Sequence, residues 1–195
     1  MTLQQQFGNI DIYLFDQLLR GNIRPGMKIF DAGCGGGRNI VYFLREGYEV
    51  YACDQDPQAV EFVRSYSPTP DHIRCEPLEE MSFPSEFADV VISCAVLHFA
   101  EDDTQFAGML SASWRVLRPG GLFFCRLASS IGIEKQIIPA GENRYLLPDG
   151  STRYLADEKL LQNWARRLGG NPVDPLKTTI VQGQRAMTTW VLQKS

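Results

Sequence analysis

Apolar positions along the chain follow two alternating rhythms. Short runs at 27–32, 48–54, 72–76, 87–96 and 122–128 are continuous or alternate with period two, and read as strands. Between them, 38–47, 57–67 and 102–117 repeat near every third or fourth residue, as helices do. The last of these puts Phe106, Leu110, Trp114 and Leu117 on one face. Gly47 stops the first helix, and Pro57 opens the second where a missing amide costs nothing. Strand–helix–strand repetition predicts a doubly wound α/β fold, mostly parallel, with helices on both faces.

The flanks add to this core. Residues 11–21 predict a further helix, with Ile12, Phe15 and Leu19 on one face. After Leu127 the rhythm breaks: 141–155 holds two short alternating runs around Pro148-Asp149-Gly150, a hairpin signal. Asp157 is placed to cap a helix over 158–168 that ends at Gly169-Gly170, and 177–182 and 187–193 read as closing strands. The chain reads as one domain: a cap helix within 1–26, a core over 27–128, a hairpin or lid insertion over 129–156, and a closing helix and two strands over 157–195.

Composition narrows the partners. The 195 residues carry a net charge of −4 without a run of Lys or Arg, which argues against a nucleic-acid partner. The longest near-apolar run, Ala88 to Ala100, is too short to span a bilayer, so no membrane is expected. The first ten residues lack a basic and an apolar region of the secretory kind, so the expected location is cytoplasmic. Cys34, Cys53, Cys75, Cys94 and Cys125 form no CxxC pair and no Cys/His cluster, and are expected as reduced thiols without a metal.

Chemistry concentrates in Asp31-x-Gly33-x-Gly35-x-Gly37, between a strand and a helical run. Glycine lets a backbone approach a ligand closely, and the first amides of a following helix could hold an anion. A dinucleotide fingerprint would need glycine where Arg38 stands, and the Gly-Lys-Ser/Thr of a P-loop is absent. An acid two residues before the first glycine suits a ligand carrying an ammonium. Asp54 follows Gly33 by 21 residues, at a strand end where a carboxylate can take both hydroxyls of a ribose.

Four stretches, FDAGCGGGRNI, YACDQDP, FADVVISCAVLHF and WRVLRPGGLFFCRL, occur in an order and spacing that resembles the class I S-adenosylmethionine-dependent methyltransferases. The likeness covers 27–128, and the GCGGGRN form is most similar to small-molecule enzymes of the tellurite-resistance and thiopurine type. The resemblance implies a Rossmann-like seven-stranded sheet with an antiparallel last strand, and a site at the carboxyl ends of the strands. It implies S-adenosylmethionine as cofactor and S-adenosylhomocysteine as product. Asp31, Gly33 and Gly35 would face the methionine part, with Cys94 and Ala95 beside it. Asp54 would hold the ribose, and Glu76 would meet the adenine. Cys34, Arg38 and Gln55 complete the expected cofactor set. Pro77 has no N–H, so Leu78 or Glu79 would supply the adenine's backbone donor.

The acceptor would then be a small molecule, met by parts outside the shared core. His98 is the candidate base, with Tyr13 a second catalytic candidate near Asp11 and Asp16; Arg126, Arg144 and Arg153 are candidates for substrate contact. The strand ending SCAVLHF lacks the Asn/Asp-Pro-Pro-Tyr/Phe form similar to that of base-amino methyltransferases. The alternative is a silent, cofactor-binding domain that serves as a partner subunit.

Overall fold

A computed structural model describes residues 2–195. Five strands of the core, β1 (Lys28–Ala32), β2 (Glu49–Asp54), β3 (Ile73–Cys75), β4 (Ala88–Cys94) and β5 (Leu117–Ser129), lie parallel. With β10 (Lys177–Val181) and β11 (Arg185–Lys194) they form a path β3-β2-β1-β4-β5-β11-β10, in which β11 runs antiparallel to both neighbours. A short β9 (Gly170–Pro172) pairs with the far end of β11. This is the Rossmann-like sheet the sequence predicted, with its last strand reversed.

The strands alternate faces, and each face carries its own core. Phe30, Val91 and Phe123 pack with α5 (Asp103–Val116) and α6 (Glu158–Leu168) on one side. Ile29, Val90, Ile92 and Phe124 pack on the other with α2 (Ile12–Leu19), α3 (Val41–Arg45) and α4 (Pro57–Tyr66). Asp56, Asp102 and Asp157 each cap a helix with their side chains.

Several local expectations change. The strand expected over 122–128 begins at Leu117, with Arg118-Pro119-Gly120-Gly121 a bulge inside it, since Ala88 pairs with Leu117 and Val90 with Leu122. An unpredicted helix, α1 (Leu3–Phe7), opens on a capping box between Thr2 and Gln5. Its Phe7 packs against Phe15 and Tyr42, with ring centroids 4.7 and 4.8 Å apart. The face predicted for α2 is wrong: Ile12 and Leu19 are 67% and 72% exposed, while Leu14 and Gln17 are buried. Gln17 goes inward because its amide is satisfied, donating to Asp174 at 2.8 Å and accepting from Asn22 at 2.7 Å.

The hairpin is present as β7 (Arg144–Leu146) and β8 (Thr152–Tyr154), extended by β6 (Ile138–Pro139) into a small second sheet. It is anchored to the start of α5: Asp103 accepts from Asn143 and from the Tyr154 hydroxyl, both at 2.7 Å.

Candidate functional site

The glycine loop folds back on the end of β2. Gly33 and Cys34 both donate to the Cys53 carbonyl, at 2.9 and 3.0 Å, and Gly37 donates to Cys34 at 2.9 Å. Gly33 has φ +79°, and a Cβ there would lie 2.6 Å from Val96 Cγ2. Gly37 has φ +74°, and its Cβ would overlap the Tyr66 hydroxyl. Neither position accepts a side chain without rearrangement. The following helix begins at Val41, later than the pattern suggested, and has five residues. Loop backbone rather than a helix terminus therefore faces the ligand space, which corrects the expected anion site.

Beside the loop, at the carboxyl ends of β2, β3 and β4, lies a cavity of about 600 Å³. Gly33, Cys34, Gly35, Arg38, Asp54, Gln55, Glu76, Leu78, Cys94 and Ala95, all predicted from sequence, line it. Asp54 holds the loop: Oδ2 accepts from the Gly35 amide at 2.8 Å and Oδ1 from the Asp56 amide at 3.0 Å. A carboxylate has about four acceptor sites, so each oxygen keeps one for a ligand hydroxyl. Glu76 is fixed by Ser82, accepting from its amide at 2.8 Å and its hydroxyl at 2.6 Å. Ala95 takes a left-handed φ of +64°, held by its amide's bond to the Arg126 carbonyl at 2.7 Å.

Sequence reasoning missed Asn39, Val96, Phe99, Gln105 and Met109, which also line the cavity. The last two come from α5, whose apolar face was legible while its approach to the opening was not. Phe99 is 57% exposed, an unusual position for a large ring next to a buried strand end.

Asp31 is absent from the cavity wall and almost wholly buried in the sheet beneath. Burial raises its carboxyl to about 7; the Arg38 charge opposes this and Asp54 adds to it. Its Oδ2 has no hydrogen-bond partner among the described residues. An orphaned buried carboxylate oxygen is costly, and a cationic ligand group is the kind of partner that relieves it. The residues present thus fit a ligand with an ammonium and a ribose.

Next to the cavity a polar hub forms around Asp11, which caps α2 through Tyr13's amide at 3.0 Å. Its Oδ2 lies 3.2 Å from Arg126 Nη1, 3.7 Å from Arg38 Nη2 and 3.7 Å from Cys94 Sγ. Its amide donates to Asn39 Oδ1 at 3.0 Å. Burial, and then the Asp11 charge, push the Cys94 thiol up to about 12, so it stays protonated.

The catalytic and substrate candidates are scattered around this frame rather than gathered. The Tyr13 hydroxyl bonds Thr179 Oγ1 at 2.8 Å, and the Arg126 guanidinium lies 5.7 Å from the Tyr13 ring centroid. His98 is buried outside the cavity wall, and its Nδ1 accepts the Ala128 amide at 3.2 Å. Burial, and then the Arg153 charge, lower its pKa to about 4. Arg144 pairs across the hairpin with buried Tyr154, whereas Arg153 pairs with Tyr145, so the two arginines lie on opposite hairpin faces. The Arg153 guanidinium sits 4.9 Å over the Phe99 ring.

Residues 30–125 match the methyltransferase-domain family model. A probable S-adenosylmethionine-dependent methyltransferase of Mycolicibacterium smegmatis is 36% identical over 98 residues, covering 50% of this chain and 37% of that protein. The tRNA 5-carboxymethoxyuridine methyltransferase of Escherichia coli K12 is 25% identical over 126 residues, covering 62% of this chain and 47% of its own. The chain spans less than half the length of such curated relatives. Among solved structures, the Burkholderia thailandensis 1,6-didemethyltoxoflavin-N1-methyltransferase, with bound 1,6-didemethyltoxoflavin and S-adenosylhomocysteine, aligns at TM-score 0.70 and 18% identity, over 97% of this chain and 79% of that one. TehB of Haemophilus influenzae aligns at 0.70 and 16% identity, over 95% and 63%. With their sheet order, glycine loop and strand-end acid, residues 30–125 form a methyltransferase domain of the class I S-adenosylmethionine-dependent type. No helix among the described residues is long and apolar enough to cross a membrane.

Proposed function

We propose that the chain transfers a methyl group from S-adenosylmethionine to a small molecule at the mouth of the 600 Å³ cavity. The observation that carries this is Asp54, whose two oxygens hold the loop and the turn after β2 while each keeps an acceptor site for a ribose hydroxyl. Asp31 supports it from below, with an unpartnered oxygen suited to the ammonium.

When bound, the cofactor supplies an electrophilic methyl group on a sulfonium, whose carbon–sulfur bond breaks with the electron pair left on sulfur. The chain's own residues bind, align and exclude water. Gly33 and Gly35 allow close approach, Leu78 and Met109 give an apolar wall, and the strained Ala95 shapes the end of β4. The hydrogen bond at His98 Nδ1 and its low pKa support a structural part, joining the loop after β4 to β5, rather than that of a base.

The test is calorimetric titration with S-adenosylhomocysteine, followed by a labelled-methyl product assay over mixed small acceptors and bulk tRNA. Binding with turnover of a small molecule supports the proposal, and turnover of tRNA alone moves the acceptor class to nucleic acid. Binding without any turnover favours a cofactor-binding partner subunit. No binding by folded protein removes the proposal.

A further inference from the structure

Three arginines near the site differ in what balances them. Arg126 and Arg38 are matched by the buried Asp11 carboxylate, at 3.2 and 3.7 Å. Arg153, half-buried on the hairpin, has no carboxylate within 4 Å among the described residues. Asp149, at the hairpin tip, feels its charge, but the Asp149 Oδ1 is taken by the Ser151 amide and hydroxyl at 2.9 and 2.6 Å. Among the described residues the Arg153 side chain makes one hydrogen bond, donating from Nη1 to the Thr152 carbonyl at 2.8 Å.

The arginine is nonetheless held in place. Its guanidinium lies over Phe99, whose exposed ring forms part of the cavity wall. A guanidinium stacked on a ring keeps its N–H edge free, and that edge matches an oxyanion in two-point geometry. The hairpin beneath is tied to α5 by the two bonds to Asp103, so the arginine's position is built in. The nearby His98 is neutral at ordinary pH and adds no positive charge beside Phe99.

We infer that the acceptor is anionic, and that Arg153, stacked on Phe99, receives its carboxylate at the mouth of the cavity. This rests on the methyltransferase reading and narrows its substrate class. Arg153 is then a specificity residue that orients the acceptor toward the cofactor and takes no proton.

Paired probes test this without knowing the natural acceptor. Six aromatic and aliphatic carboxylates, among them 4-hydroxybenzoate, are titrated beside their neutral amides into protein saturated with S-adenosylhomocysteine. At least one carboxylate should bind roughly 10- to 100-fold more tightly than its amide. Arg153→Met, which keeps the packing on Phe99, should erase that difference with cofactor affinity and melting temperature unchanged. Arg153→Lys should restore part of it. A preference that survives Arg153→Met overturns the inference, as does equal binding of each pair or no binding of any carboxylate. Failure of the wild type to bind S-adenosylhomocysteine would instead strike the methyltransferase reading, so the two failures are separable.

Discussion

The Asp54 carboxylate and the Gly35 amide are joined at 2.8 Å, so one side chain both closes the glycine loop and lines the ligand cavity. Asp54→Ala should therefore weaken S-adenosylhomocysteine binding by tenfold or more, about 1.4 kcal/mol for each factor of ten. Asp54→Asn, which keeps an acceptor for the amide, should lose less. Calorimetry on both variants checks this, and unchanged affinity in Asp54→Ala would remove the ribose role.

Gly33 faces a second constraint. Its φ of +79° and the 2.6 Å from its virtual Cβ to Val96 make Gly33→Ala costly on two counts. About 1–3 kcal/mol of stability should go, with loss of cofactor binding. Adding Val96→Ala should return the part due to the clash and leave the part due to φ. Urea denaturation of the single and double variants separates the two contributions.

Asp31 sets a pH dependence. Its folded pKa of about 7 is well above that of a free aspartate, so the folded state holds a proton that the unfolded chain releases. The unfolded state thus binds fewer protons between about pH 4 and 7, and stability falls as pH rises through that window, levelling above it. An ammonium favours the ionised form, so S-adenosylhomocysteine affinity should rise by about tenfold per pH unit below 7 and flatten above. Asp31→Asn should abolish both trends. A flat affinity profile in the wild type from pH 5.5 to about 7.5 would refute the ammonium role.

Asp11 is the buried carboxylate that faces two guanidiniums, accepting from Arg126 and lying 3.7 Å from Arg38. Removing it in Asp11→Ala leaves Arg126 without its partner and α2 without its cap, at a cost of about 3 kcal/mol. Asp11→Ala combined with Arg126→Met should lose less than the sum of the single changes, because the unpaired charge is gone. Strict additivity in thermal unfolding would show that the ion pair contributes nothing.

The sheet, the glycine loop and ten of the residues around the cavity were readable from the sequence because each depends on short-range rules. Apolar period marks strands and helices, and glycine at Gly33 and Gly37 reflects positive φ and crowding. The Thr2–Gln5 capping box of α1 is equally local, a threonine with a glutamine three residues on. The orientation of α2 was not readable, because Gln17 turns inward only when Asp174, 157 residues away, arrives to accept its amide.

The same distinction divides the site. Asp31 and Asp54 lie at the ends of neighbouring strands, where local pattern and strand order suffice to put them on either side of one loop. The Asp11 hub joins residues up to 115 positions apart, and the stack of Arg153 on Phe99 needs a hairpin anchored on α5. Such contacts follow from register and from which buried charges find partners. Those are outcomes of packing the whole chain, and no spacing along it encodes them.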